Sequence, residues 1–151
     1  MWLDAILAYL HFMAIFGLFA TLAREMWLLR VGAASLDIET LARTDRSFGI
    51  HAGVVLVTGV LRASFGIKGA AFYMHNPAFH IKIGLFILVG LISIVPTVAF
   101  LRWRKARLAD AAYRVPQNEW ARMSKILRVE MILIALIPLF AVIMSRGLFN
   151  R

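Results

Sequence analysis

The chain has 151 residues, 62% of them hydrophobic, and a mean hydropathy of +0.80. Soluble domains are about 45–50% apolar, so this composition indicates an integral membrane protein, whose first partner is the lipid bilayer. The 17 Lys and Arg residues outnumber the 8 acidic ones, but they lie between the apolar segments, where membrane topology explains them and no nucleic-acid partner is needed. Because there is no Cys, disulfides, thiolate metal sites and covalently attached c-type haem are excluded.

Four apolar segments, each about 20 residues long, are long enough to cross the hydrocarbon core of a bilayer. They cover residues 3–23, 47–67, 79–101 and 126–145. The N-terminal residues lack the basic region of a signal peptide, so we expect the first segment to be retained as a span. The sequence therefore predicts an all-α membrane protein in which residues 1–151 form a single integral membrane domain, a four-transmembrane-helix bundle.

The ends of the helices carry recognisable signals. Ser35, with acidic residues soon after it, is typical of a helix start and predicts the beginning of the second helix. Asn76 followed by Pro77 predicts the start of the third helix, because Asn caps well and Pro suits the first helical position. Pro116 is expected to stop that helix, and Asn118 to cap the fourth.

Four basic side chains are predicted at similar depth in the outer half of the bundle: His11, Arg62, His80 and Lys82. Ionisable groups inside membrane helices are costly unless they face the bundle interior, water or the headgroups, so these residues are candidates for function. His11 and His80 could approach a common metal centre from two helices. Arg62 and Lys82 could face an anion such as a lipid phosphate, a substrate carboxylate or the propionates of haem. The alternative is an interfacial position, with Lys82 extending to the headgroups.

A second polar pair is predicted near the cytoplasmic side. His51 on the second helix and Glu130 on the fourth lie at comparable depth. A carboxylate beside an imidazole could form part of a proton path, or it could be a structural hydrogen bond. Buried charges usually pair, so the structural interpretation is favoured.

Several strings in this chain resemble an uncharacterised bacterial family of predicted four-helix membrane proteins, and the resemblance covers nearly the whole length. They are Leu-Ala-Tyr-Leu-His at 7–11, Thr-Gly-Val-Leu-Arg at 58–62, Lys-Gly-Ala-Ala-Phe-Tyr at 68–73 followed by Asn-Pro at 76–77, and Pro-Thr-Val-Ala-Phe-Leu-Arg-Trp at 96–103. This resemblance implies the fold but no activity.

A looser similarity links the chain to the HemJ-type protoporphyrinogen oxidases. These small four-helix membrane proteins have a histidine in the first helix and a His-x-Lys motif that opens the third, and both are important for haem-linked function. The matching positions here are His11, and His80 with Lys82. The CopD-like copper-resistance proteins share a similar helical layout.

Three functions remain open at this point. The first is an inner-membrane b-type haem-binding protein, a redox protein or oxidoreductase that holds haem b in the outer half of the bundle and works with a redox partner. The second is a copper-handling or transport protein that uses the same histidines with methionines such as Met13, although the methionines form no spaced motif. The third is a structural or assembly subunit of a larger membrane complex.

The number of Lys and Arg residues in each connection predicts the orientation of the chain. The first connection carries Arg24, Arg30, Arg43 and Arg46 beside the acids Glu25, Asp37, Glu39 and Asp45. The third carries Arg102, Arg104, Lys105, Arg107, Arg114, Arg122 and Lys125. Both connections are expected on the cytoplasmic side, which predicts a multi-pass protein of the bacterial inner membrane with both termini on the outer side.

A pair of reporters fused after Arg151 tests this orientation. A reporter that is active only outside the cytoplasm is expected to be active, and one that is active only in the cytoplasm is expected to be silent, because an even number of spans returns the chain to the outer side. The reverse pattern would contradict the prediction.

Overall fold

The structure is a computed structural model that describes residues 2–65 and 77–146. Four long helices make up most of it: α1 (Trp2–Leu29), α2 (Ile38–Phe65), α3 (Pro77–Ala109) and α4 (Gln117–Ser145). A single 3₁₀ turn, Ala33–Ser35, lies between α1 and α2, and the described ranges contain no strand. All four helices are long and apolar enough to cross a membrane, which confirms the predicted four-helix fold.

Side-chain caps explain where two of these elements begin and end. The Asp37 carboxylate accepts a hydrogen bond from the Thr40 main-chain N–H at 3.0 Å, so α2 begins at Ile38, and Ser35 belongs to the preceding 3₁₀ turn instead. Hydrogen bonds from the Thr40 side chain and main chain hold the pKa of Asp37 below its ordinary value, so this cap is charged at neutral pH. After α3, Asp110 accepts a hydrogen bond from the Ala112 N–H at 2.8 Å.

The other predicted boundaries fall close to the observed ones. As predicted, α3 begins at Pro77, while its expected cap, Asn76, lies outside the described residues. The helix ends at Ala109, several residues before Pro116. Because α4 begins at Gln117, Asn118 lies within its first turn and is not the residue before it.

The helices pack as two antiparallel pairs, α1 with α2 and α3 with α4. The pairs join where α2 meets α3 and where α1 meets α4, so α2 and α4 lie diagonally across the bundle. The half of the bundle that holds the end of α1 and the start of α2 is named the cytoplasmic half, after its predicted orientation, and the opposite half is named the outer half. Five large side chains from the four helices are fully buried along the cytoplasmic half of the shared core: Leu22, Leu41, Phe100, Trp103 and Leu127. Large apolar side chains on all four helices also face outward, as lipid contact requires.

Polar contacts join the helices where they extend past the apolar spans. The indole N–H of Trp103 donates to the Glu119 carboxylate at 2.7 Å and thereby links α3 to α4. The Trp120 indole N–H donates to the Leu29 carbonyl at 3.0 Å, which links α4 to the end of α1. Arg104 forms an ion pair with Glu39 at 2.6 Å, which links α3 to α2. Exposed ion pairs are worth about 0–1 kcal/mol, so these contacts fix the relative positions of the helices more than they stabilise the fold.

Gly17 on α1 faces the side chain of His51 on α2. The imidazole of His51 is held by a hydrogen bond between its Nδ1 and the Ser47 carbonyl at 2.8 Å. A Cβ at Gly17 would lie only 2.2 Å from His51 Cδ2, far inside van der Waals contact. This position therefore requires a residue without a side chain, as small-residue contacts between membrane helices commonly do.

Replacing Gly17 by Ala is expected to lower the free energy of unfolding by about 1–3 kcal/mol, the usual cost of overpacking. The new methyl group forces the His51 ring away from Ser47 or separates α1 from α2. Thermal unfolding in detergent, followed by circular dichroism, measures the change. Gly53→Ala is the matched control, because nothing lies within 4 Å of a Cβ there. Equal stability of the two variants would contradict the prediction.

Candidate functional site in the outer half

His11 is buried on α1, and its ring is turned toward α2. Its Nδ1 lies 2.8 Å from Thr58 Oγ1. The Thr58 hydroxyl has one proton, which it donates to the Val54 carbonyl at 2.6 Å. We assign Thr58 as the acceptor of the hydrogen bond from His11, because its own proton goes to Val54. With that assignment the imidazole carries its proton on Nδ1 and its lone pair on Nε2.

The segment of α2 around Thr58 is shaped to receive this ring. A Cβ built on Gly59 would lie 3.3 Å from His11 Cε1, tighter than almost all real contacts of this kind. Thr58 and Gly59 thus supply a hydrogen-bond acceptor and open space at adjacent positions. Both belong to the Thr-Gly-Val-Leu-Arg string that the sequence singled out.

Two cations lie near His11. Arg62 follows Thr58 by one turn of α2, and its guanidinium carbon lies 5.6 Å from the centroid of the Phe12 ring, a cation–π distance. Lys82 is half-buried on α3. The charges of Arg62 and Lys82 both act on His11, and that of Arg62 acts on Lys82. Three helices therefore bring together His11, Arg62 and Lys82, which the sequence predicted to converge.

His80, the fourth predicted member, has a different orientation. Residues two apart on an α-helix point about 200° apart around its axis, so His80 and Lys82 face in different directions. The side chain of His80 is exposed, and its ring lies against Phe79 with the centroids 5.8 Å apart. Lys82 is half-buried, whereas His80 is exposed. In the described part of the chain, no three His, Cys, Asp or Glu side chains are grouped in a way that could hold a metal ion.

The predicted hydrogen bond between His51 and Glu130 is not formed. His51 bonds to Ser47 on its own helix and packs against Gly17 on α1. Glu130 is buried on α4, and its Oε1 has no hydrogen-bond partner. The reason is the direction and depth of the His51 ring. It is turned toward Gly17 on α1, and it lies about 9 Å of helix rise from Asp45, the α2 residue whose charge acts on Glu130.

The structure reveals a carboxyl cluster that the sequence analysis missed. Glu25 and Asp45 belong to α1 and α2 and are buried in the bundle with Glu130, although they were assigned to the first cytoplasmic connection. A sequence signal did exist. Each acid occupies a position in an apolar stripe with three- and four-residue spacing: Leu18, Leu22, Glu25, Leu29 on α1; Ile38, Leu41, Asp45, Phe48 on α2; and Met123, Leu127, Glu130, Ile134 on α4.

A polar groove also lies between α1 and α2 toward the cytoplasmic side. It encloses about 360 Å³ and is lined by Ala20, Thr21, Arg24, Thr40, Arg43, Thr44 and Ser47. The hydroxyls of Thr21 and Thr44 donate to carbonyls of their own helices, each at 2.8 Å. Arg43 is paired with Glu39 at 3.0 Å.

The family described as "Predicted membrane protein (DUF2214)" matches residues 3–148 of the chain. No curated protein and no solved structure matches the chain. The match covers all four helices and both clusters of polar residues.

Replacing Thr58 by Val tests the hydrogen bond that fixes His11. Val has nearly the same shape but cannot accept, so the buried Nδ1–H loses its partner, at a cost of about 1–3 kcal/mol in the free energy of unfolding. Thr58→Ser keeps the acceptor and is expected to be closer to the parent in stability. Thermal unfolding in detergent gives the values. In a His11→Leu background the cost of Thr58→Val should disappear, and an undiminished cost there would contradict the assigned hydrogen bond.

Proposed function

We propose that the chain, which belongs to the DUF2214 family of predicted membrane proteins, binds haem b in the outer half of its bundle, with His11 as the axial ligand. The observation that carries the proposal is the hydrogen bond between His11 and Thr58. Haem b held by histidine supplies one-electron transfer, so the protein would act as a redox protein of the inner membrane.

The first support is the tautomer and the fixed orientation of the His11 imidazole. A histidine that ligates a metal commonly donates its other ring N–H to a fixed acceptor, which sets both the tautomer and the orientation of the ring. Thr58 is such an acceptor for His11, and it is fixed in turn by the Val54 carbonyl at 2.6 Å. The ring is therefore held with a lone pair on Nε2, the atom that would bind iron.

The second support is charge. Haem b carries two propionate carboxylates, and the outer half of the bundle holds two cations near His11. The Arg62 Nε is buried and has no hydrogen-bond partner, which is expensive in a membrane span unless a ligand supplies an acceptor. A carboxylate would satisfy the Arg62 guanidinium through charge-assisted hydrogen bonds and offset part of the cost of burying Lys82.

The donor set favours a single protein ligand to iron. His80 is exposed and lies on a different side of α3 from Lys82, so the proposal assigns axial ligation to His11 alone. The copper alternative is less well supported, because Met13 is exposed and lies about 200° around α1 from His11. No thioether therefore accompanies this imidazole on its face of α1.

The decisive experiment compares haem content among purified variants. The parent protein from haem-replete cells is expected to show a Soret band, and His11→Ala is expected to lose most of the bound haem. His80→Ala is the matched control, since it removes an exposed histidine, and it should keep its haem. Replacing Arg62 and Lys82 together by Gln should weaken haem retention without removing the axial ligand. A parent without haem, or a His11→Ala variant with unchanged haem, would contradict the proposal.

A further inference from the structure

Three buried carboxyl groups on three helices of the cytoplasmic half lie near enough for their charges to interact. Glu25 on α1 is 1% exposed, Asp45 on α2 is 6% exposed and Glu130 on α4 is 1% exposed. The charges of Asp45 and Glu130 both act on Glu25, and that of Asp45 acts on Glu130. The fourth helix, α3, contributes Thr97, whose hydroxyl donates to Asp45 Oδ1 at 2.9 Å. The cluster therefore lies at the junction of the two helix pairs.

No cation balances this cluster within the described residues. The Arg residues nearest in sequence, Arg24, Arg46 and Arg128, are all exposed, and Arg128 donates to the Ser124 carbonyl. His51, the nearest histidine on α2, bonds to Ser47. The segment 83–101 of α3 contains no charged residue. Three ionised carboxylates in such surroundings would repel one another and lose their hydration without compensation.

Two oxygens of the cluster also lack hydrogen-bond partners. They are Oε1 of Glu25 and Oε1 of Glu130, both on side chains that are almost completely buried. Buried polar atoms are nearly always hydrogen-bonded, so two orphan oxygens in one cluster indicate a ligand that supplies donors. An ionised carboxylate can only accept hydrogen bonds. Once it is protonated, its O–H can donate a hydrogen bond to a neighbouring carboxylate. Since no described group of acids has the arrangement of a metal site, the ligand that fits is the proton.

We propose that Glu25, Asp45 and Glu130 form a proton-binding site that exchanges protons with water on the cytoplasmic side. In each binding step a proton passes from hydronium or a buffer acid to a carboxylate oxygen, which forms a neutral carboxylic acid and leaves water or the buffer base. Release is the reverse, and no other bond changes. Water can reach the site because it lies near the helix ends: Glu25 is about one turn before the end of α1, and Asp45 is about two turns after the start of α2.

Proton binding at this position would affect how the two helix pairs pack. When the protons leave, repulsion among Glu25, Asp45 and Glu130 acts between α1, α2 and α4, and it favours separation of the pairs. When they bind, the cluster becomes neutral and the pairs can close. This site does not depend on haem, because it involves none of the outer-half residues.

Infrared spectroscopy of the purified protein tests the proposal, because neutral carboxylic acids and ionised carboxylates absorb separately. The parent protein at neutral pH is expected to show a carboxylic-acid band that shifts in deuterated water. Glu25→Gln and Glu130→Gln should each lose part of this band. Glu39→Gln is the matched control: its carboxylate is ion-paired at the surface, so the variant should keep the acid band and lose only carboxylate absorption.

The spectrum of the parent protein tests the proposal even if the Gln variants fail to fold. A parent with no carboxylic-acid band at neutral pH would overturn the proposal. So would an acid band that is unchanged in folded Glu25→Gln and Glu130→Gln. Loss of the band on addition of sodium chloride, but not of choline chloride, would show that the site takes a metal cation and would overturn it as well. Loss of the band only at alkaline pH, reversed on reacidification, is the expected result.

Discussion

Every polar side chain within a membrane span must find a partner inside the bundle, and this constraint shapes the whole structure. Lipid offers no hydrogen bonds, so an unsatisfied group there costs several times what it would cost at a wet surface. His11 meets the constraint through Thr58, Asp45 through Thr97, and His51 through Ser47. In each case a hydroxyl or a carbonyl of the same helix or of a neighbouring helix holds a titratable side chain in a fixed position.

Some buried polar atoms lack a hydrogen-bond partner, and these atoms lie in both halves of the bundle. In the outer half the orphan among the described residues is the Nε of the Arg62 cation. In the cytoplasmic half the orphans are a carboxyl oxygen each of Glu25 and Glu130 and the hydroxyl oxygen of Ser124. His11 and Glu25 are separated by about 21 Å of helix rise on α1. The buried and half-buried groups of the bundle are thus cationic in its outer half and carboxyl groups in its cytoplasmic half. That separation allows an anionic ligand at one end and protons at the other.

The contact between α1 and α2 connects the two halves. Gly17 lets α1 approach His51, and Gly59 lets α2 approach His11, so the same pair of helices has a close contact at each level. Each contact places an imidazole against a glycine of the neighbouring helix. Because both rings are held by hydrogen bonds, the position of α1 along α2 is fixed by polar contacts as well as by apolar packing.

The sequence by itself determined the class of fold and the depth of the charged side chains along their helices. Four long apolar segments have only one stable arrangement in lipid, helices that satisfy their own main-chain groups, so the four spans could be predicted. Depth along each helix placed His11, Arg62 and Lys82 at one level, because helix rise is constant. The depth of a residue along a helix does not tell in which direction its side chain points. His80 was therefore grouped with Lys82 by depth alone, although the two side chains point about 200° apart.

Only the tertiary structure decided which side chains meet. Whether His51 could reach Glu130 depended on the direction of its ring around α2, and that ring is turned toward Gly17 on α1. Glu25 and Asp45 looked like solvated charges of a connection because helices that continue past the apolar spans cannot be separated from loops by hydropathy alone. Their burial depends on the rotation of α1 and α2 against α3 and α4. That rotation is set by packing among residues far apart in the chain, and no local pattern contains it.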